Sequence, residues 1–229
     1  MKIAIDGPAG AGKSTIARRL ARELGIVYID SGAMYRALTL KVLQEGIDLY
    51  DPAAICKLAS RIEMHFDNDS EEQKIICDNA DVTKQIRAPE INRRVSLVAS
   101  YPEVRQVMVK RQQELASIQS VVMDGRDIGE CVLPDADVKF FLVASLEERV
   151  RRRSRELEGM GYKADKQLIA SEIEERDMQD SRREVGALKI LDDAIVIDTS
   201  SLSVDELLAK MMQILKEKNI ALLDDKKSV

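Results

Sequence analysis

The segment Gly7-Pro8-Ala9-Gly10-Ala11-Gly12-Lys13-Ser14-Thr15 constrains this chain more than any other stretch. It follows Lys2-Ile3-Ala4-Ile5-Asp6, a short apolar run fit to be a buried strand. It leads into Ile16, Leu20 and Leu24, an apolar stripe at helical spacing that Gly25 is placed to end. Strand, glycine-rich turn, Lys-Ser and helix form the context in which a phosphate-loop match becomes a structural prediction. Small residues let backbone N–H groups curl around a phosphate, and the new helix directs its positive end at the same point. The whole loop, Gly7 to Thr15, is expected to contact a nucleoside triphosphate. Lys13 supplies a mobile cation for the β- and γ-phosphates, and the Ser14 hydroxyl is suited to a Mg²⁺ ion.

Short apolar runs recur at 26–29, 121–123, 138–143 and 194–197, which with the first makes five strands. Helical stripes separate them: Met34, Leu38 and Val42; Val104, Val107, Met108 and Leu115; Val204, Leu207, Leu208, Met211 and Leu215. The alternation predicts an α/β protein of the P-loop NTPase fold, a five-stranded, mostly parallel sheet with helices on both faces. Two stretches interrupt it. Residues 51–116 open with Asp51-Pro52, a helix cap followed by a first-turn proline. They then show β-like pieces at 62–66 and 74–77 around a polar turn at 67–72, and Pro102 restarts a helix. Residues 149–187 are polar and dense in arginine, with Gly159 and Gly161 forming a turn between two helices. The expected plan is a core of 1–50, 117–148 and 188–229 carrying a binding insertion and an Arg-rich lid. Ligands of open α/β sheets bind at the carboxyl ends of strands, where such insertions become covers. The tail from Asp224 is polar and expected to fray.

A net charge of −5 and 3% aromatic residues argue against a nucleic-acid surface, which needs cations and stacking platforms. Cys56, Cys77 and Cys131 are odd in number and lack metal-ligand spacing, so free thiols in a reducing cytoplasm are expected. The N-terminus enters a strand at once, so no signal peptide is expected, and no apolar run reaches membrane-spanning length. His65 is the only histidine; between Met64 and Phe66 it reads as a strand or surface residue, and histidine catalysis is a poor expectation. Nothing demands more than a monomer.

Strand two ends in Asp30-Ser31-Gly32, followed by Tyr35 and Arg36. Ser31 is placed to cap the next helix, and Arg36 lies a turn inside, positioned to grip an anion. The third run ends in Asp124-Gly125-Arg126-Asp127, where an acidic residue after a hydrophobic strand marks Asp124 as a Mg²⁺-shell candidate. Arg126 and Asp127 would project into the same cleft. The run Arg149-Val150-Arg151-Arg152-Arg153-Ser154-Arg155 is either the solvated side of an amphipathic helix or a lid that lowers guanidinium groups onto a phosphate. Arg176, Asp180 and Arg183, spaced by four and three, share one face of a continuing helix. They are either an exposed ion-pair network or a grip for a nucleoside monophosphate.

Together the segments IDGPAGAGKST (5–15), DSGAMYR (30–36), SLVASYPEVR (96–105), DGRDIG (124–129), LPDADVKFFL (133–142) and EIEERDMQDSRR (172–183) resemble the bacterial type of cytidylate kinase over almost the full chain. The resemblance implies transfer of the γ-phosphoryl group of ATP to CMP or dCMP, with Mg²⁺, and makes 51–116 the monophosphate-binding insertion. It places Ser31, Gly32, Tyr35, Arg36, Ser96, Arg105, Arg126, Asp127, Arg176, Asp180 and Arg183 at the acceptor. Lys13, Arg126, Asp127, Arg176 and Arg183, with Arg149, Arg152 and Arg153 from the lid, are the expected catalytic set. Two departures stand out: Ser14 where a glycine can follow the lysine in other members, and Leu133 where an aromatic can precede Pro134-Asp135. A small-metabolite kinase of the shikimate type shares the loop but usually lacks so long an insertion between strands two and three. A GTPase switch would need Thr-Lys-x-Asp or Asn-Lys-x-Asp, and Thr83-Lys84-Gln85-Ile86 fails at its last position.

Overall fold

The computed structural model describes residues 1–67, 73–218 and 220. Most of the expected polar turn at 67–72, and the tail from Asp224, lie outside them. The chain opens with β1 (Lys2–Asp6), α1 (Lys13–Leu24), β2 (Val27–Asp30) and α2 (Ser31–Gln44). It continues with α3 (Pro52–Arg61), β3 (Met64–Asp67), β4 (Lys74–Cys77), β5 (Ala80–Asp81), α4 (Pro89–Val98) and α5 (Pro102–Ser117). Then come β6 (Val121–Asp124), a π-helical turn at Ile128–Val132, β7 (Val138–Val143), α6 (Leu146–Gly159), α7 (Lys166–Ser181), β8 (Ile195–Asp198) and α8 (Val204–Glu217).

Five strands form one sheet in the order β2-β6-β1-β7-β8, and every pairing is parallel. With the glycine-rich loop between β1 and α1, this is the P-loop NTPase fold. Ile3, Ala4 and Ile5 of central β1 are wholly buried, because α-helices cover both faces. One face packs Ile16 and Leu20 of α1 against Leu207, Met211 and Leu215 of α8. The other packs Met34, Leu38 and Val42 of α2 with Ile55, Val98, Val104 and Met108. Val204, counted into the last stripe, is instead exposed: as the first residue of α8 it precedes the turn that docks.

Local signals act where expected at several ends. Gly25 closes α1 at φ 63°, a left-handed conformation. The Asp51 carboxylate accepts the Ala54 N–H at 3.0 Å to open α3. Between α3 and α4, β3, β4 and β5 make a separate antiparallel sheet. His65 on β3 is exposed. α6 and α7 pair through a small core of Val150, Leu157, Ile169 and Ile173. All three cysteines are free thiols, and among the described residues no helix is long and apolar enough to cross a membrane.

Candidate active site

The register of the sheet sets Asp30 of β2 beside Asp124 of β6 and Ile5 of β1, so the carboxyl ends of adjacent strands open into one cavity of about 1160 Å³. The P-loop, the start of α2, Ser96 of α4, Arg105 of α5, residues 124–127 and the α6–α7 pair all line it.

At the P-loop end, Gly10 and Gly12 adopt φ 76° and 87°, conformations that L side chains resist. Lys13 is buried, and its ammonium donates to the Pro8 carbonyl at 2.8 Å. Burial, then the nearby Arg126, holds its pKa well below the lysine range, while Asp124 opposes the shift. The Asp124 carboxylate accepts the Ser14 hydroxyl at 2.9 Å and the Tyr28 hydroxyl at 2.8 Å. Burial, then the neighbouring Asp30, raises the Asp124 carboxyl to about 6. No group of three or more His, Cys, Asp or Glu side chains is arranged to hold a metal among the described residues. One hydroxyl and one carboxylate in contact fit a Mg²⁺ ion whose remaining ligands are phosphate oxygens and water.

Toward the other end, the expected cap of α2 is corrected. Asp30, not Ser31, caps it, accepting the Ala33 N–H at 2.7 Å. Ser31 is already helical, and its hydroxyl donates to the Asp124 carbonyl at 2.6 Å. Asp30 also pairs with Arg36 at 3.0 Å. Gly32 keeps the Arg36 guanidinium close, since a Cβ there would stand 3.0 Å from its Nη1. Arg105, buried, donates to the Ala99 carbonyl at 3.2 Å, pairs with Asp127 and stands 5.8 Å from the Tyr35 ring centre. The Ser96 and Tyr35 hydroxyls are buried without a hydrogen-bond partner among the described residues, as free polar atoms facing a ligand cavity would be.

Asp180 is completely buried, accepting the Arg126 Nε at 2.8 Å and a bond from Arg183, with Arg176 Nε at 3.9 Å. This excludes the exposed ion-pair reading. Burial pushes the Asp180 carboxyl up, but Arg126, Arg176 and Arg183 outweigh it and hold it below the usual range. Burial and then Arg126 lower Arg176 to about 9. The helix does not continue to Arg183: α7 stops at Ser181, and Arg183 reaches back from beyond the end. In α6, Arg149 pairs with Asp177 and donates to the Ala9 carbonyl at 3.4 Å. Arg152 donates to the Thr199 carbonyl at 2.7 Å and to that of Gly10 at 3.5 Å. Both therefore rest on the P-loop, whereas Arg153 pairs with Glu156 at 2.7 Å along its own helix.

A family model described as cytidylate kinase matches residues 3–217. The chain belongs to the cytidylate kinase family. It is 52% identical over 204 residues to a cytidylate kinase of Desulforamulus reducens, covering 89% of this chain and 91% of that one. It is 48% identical over 217 residues to one from Caldanaerobacter subterraneus subsp. tengcongensis, covering 95% of each. A solved structure of an uncharacterized protein from Eubacterium ventriosum shares the fold, with a TM-score of 0.51 and 13% identity over 95% of this chain and 98% of that one. Family membership makes the chain an enzyme, a kinase that phosphorylates a nucleoside monophosphate with ATP.

Several residues around this kinase site escape a reading of the sequence. Tyr28 sits in the second apolar run, where it reads as core, and Asp30 just after it reads only as a strand end, yet Tyr28 bonds Asp124 and Asp30 bonds Arg36. Arg18, in the cavity wall 5.9 Å from the Tyr28 ring centre, looks like the polar side of α1. Thr199, buried, donates to the Ala11 carbonyl at 3.0 Å and accepts from Arg152 at 3.1 Å. Gly186 packs directly on the Arg105–Asp127 pair, with no room for a Cβ. Asp30 beside Ser31 carried a usable signal, since either can cap; the others depend on chain crossings that no local pattern encodes.

Proposed function

We infer that this chain transfers the γ-phosphoryl group of ATP to CMP or dCMP by direct in-line displacement, without a covalent enzyme intermediate. One observation carries the reading: a fully buried carboxylate, Asp180, gathers Arg126, Arg176 and Arg183 in the cavity that the P-loop also lines, with Arg126 and Arg176 close enough to act on Lys13. A triphosphate seated on residues 7–15 and a nucleoside monophosphate whose phosphate sits at Arg126 and Arg176 meet head-on. Phosphoryl transfer needs positioning and charge compensation more than covalent help.

In this reading the loop amides and Lys13 hold the donor. Ser14 and Asp124, the latter directly or through water, would hold the Mg²⁺ carried by the triphosphate, which would supply charge neutralisation. Arg36 leaves Asp30 for the acceptor phosphate, with Arg126 and Arg176 beside it. Ser31, Gly32, Tyr35, Ser96, Arg105, Asp127, Asp180 and Arg183 line the pocket for sugar and base, and the vacant hydroxyls of Ser96 and Tyr35 offer polar contacts there. Residues 51–116 serve as the acceptor-binding insertion and 149–187 as the lid. From the lid, Arg149, Arg152 and Arg153 exchange their contacts to protein for contacts to the transferring phosphate. An acceptor phosphate is already ionised, so no general base is required, and Asp127 orients. The chain acts on small nucleotides as a cytoplasmic monomer, without nucleic acid or membrane partners.

ADP release measured with ATP·Mg and each of CMP, dCMP, UMP, AMP and shikimate tests the reading. Turnover with CMP and dCMP should exceed the others by at least about tenfold, and Lys13→Ala should lower it by about 10³ or more. Preference for shikimate, or near-normal turnover of the Lys13 variant, would refute it.

A further inference from the structure

Asp6 is the last residue of β1 and immediately precedes the P-loop, yet its side chain turns away from that loop. One carboxylate oxygen accepts the N–H of Ile128 at 2.9 Å and the other that of Gly129 at 2.8 Å. These amides open the π-helical turn Ile128–Val132, where the first N–H groups of any helical turn have no partner of their own. The residue before Asp6 holds the same segment at its other end: the Ile5 carbonyl accepts the Gly125 N–H at 3.0 Å. Between these two clamps lie Arg126 and Asp127. Arg126 reaches Asp180 and Asp127 reaches Arg105, so both side chains line the cavity among the residues assigned above to the acceptor. The Asp6 side chain is buried and, among the described residues, is hydrogen-bonded through those two amides, with Asp127 and Lys13 the charged groups whose fields reach it. A carboxylate serving two buried N–H groups holds a turn far more firmly than a neutral side chain can.

We propose that Asp6 is a positioning residue for the acceptor nucleotide, fixing the turn that presents Arg126 and Asp127, although it adjoins the loop that holds the donor. The inference rests on the functional reading above. An asparagine at this position has one acceptor oxygen for two amides, and its NH₂ confronts the second N–H. Asp6→Asn should therefore raise the KM for CMP by about tenfold or more while the KM for ATP stays within about twofold, the range expected when a supporting contact behind a binding group is lost. Hydrogen exchange at residues 125–129 should accelerate while exchange at residues 7–13 does not. If Asp6→Asn does not fold, Asp6→Glu, which keeps both oxygens but displaces them by a methylene, carries the same comparison. Equal rises in both KM values, a rise for ATP alone, or a lower melting temperature with both KM values unchanged would overturn the inference. Parent protein that turns over no CMP would instead refute the functional reading, and this proposal with it.

Discussion

Asp124 and Asp180 are both buried carboxylates in one cavity, yet their environments pull their acidities in opposite directions. Burial and Asp30 raise Asp124 to about 6, so the folded protein holds that proton more tightly than the unfolded chain does. The associated stability is present below the ordinary value of 3.8 and is lost as pH rises through about 6. An asparagine can still accept from Tyr28 and donate to Ser14, without the penalty of a buried charge. Nucleotide-free Asp124→Asn should thus melt several °C above the parent at pH 8, a gain on the order of 1–3 kcal/mol, and lose that advantage at pH 4. Its turnover should fall by about 100-fold or more. Asp180 has a lowered pKa, so its contribution is present above 3.8 and lost as pH falls through its depressed value. Asp180→Asn strands Arg126, Arg176 and Arg183 around a neutral amide and should destabilise the protein at pH 8 by about 3–5 kcal/mol. Calorimetry of both variants across pH decides the matter. A matching sign for the two would mean that local electrostatics do not govern these sites.

Among elements, α7 and the segment after it bear most directly on the site. The Leu188 N–H returns to the Asp180 carbonyl at 2.9 Å, folding that segment back and seating Gly186, at φ 68°, against the Arg105–Asp127 pair. Gly186→Ala combines backbone strain with a methyl group driven into an ion pair. It should raise the KM for CMP about tenfold or more with little change for ATP, as steady-state kinetics with each nucleotide varied would show. The sequence registers this region only as polar, because a glycine matters here through a partner some 80 residues away. Elements whose cause is local were readable. The five core strands were legible from their apolar runs, all within a residue or two at the ends, and α1, α3 and the α6–α7 pair from their stripes and end signals. β5 was missed because it is two residues long, although Asp78 and Asn79 at φ 47° and 63° form the kind of tight turn that joins it to β4. The cap of α2 was misplaced by one residue because Asp30 and Ser31 are both competent. Asp30 prevails since capping and pairing with Arg36 use the same carboxylate, which leaves the Ser31 hydroxyl for Asp124. Residue types at the site were visible in the sequence; the bonds among them, such as Asp6 to Ile128 and Gly129, were not.

For the molecule as a whole, the cavity holds more cation than its own carboxylates can balance. Arg36, Arg105 and Arg126 each have a carboxylate partner, while Arg176 stands 3.9 Å from a carboxylate already shared by two others, and among the described residues Lys13 donates to a carbonyl rather than to a carboxylate. Like charges brought together in a desolvated space repel, so the empty protein resists drawing α4, α6 and α7 further inward. Arg93 of α4 and Glu172 of α7, 2.9 Å apart, are the exposed contact across the mouth and contribute at most about 1 kcal/mol, too little to offset that repulsion. If 149–187 acts as the proposed lid, its closure is expected to be driven by anions, and a donor or an acceptor alone supplies only part of the charge. Two consequences follow for the intact kinase. Melting temperature in the presence of both CMP and a non-hydrolysable ATP analogue should exceed the sum of the separate increments, and the small-angle scattering radius should contract fully only with both. ATP hydrolysis without an acceptor should remain below about 1% of the rate with CMP, because water meets an incompletely neutralised, open site. Additive melting increments, together with full contraction on the ATP analogue alone, would show that the cavity closes without the acceptor's charge.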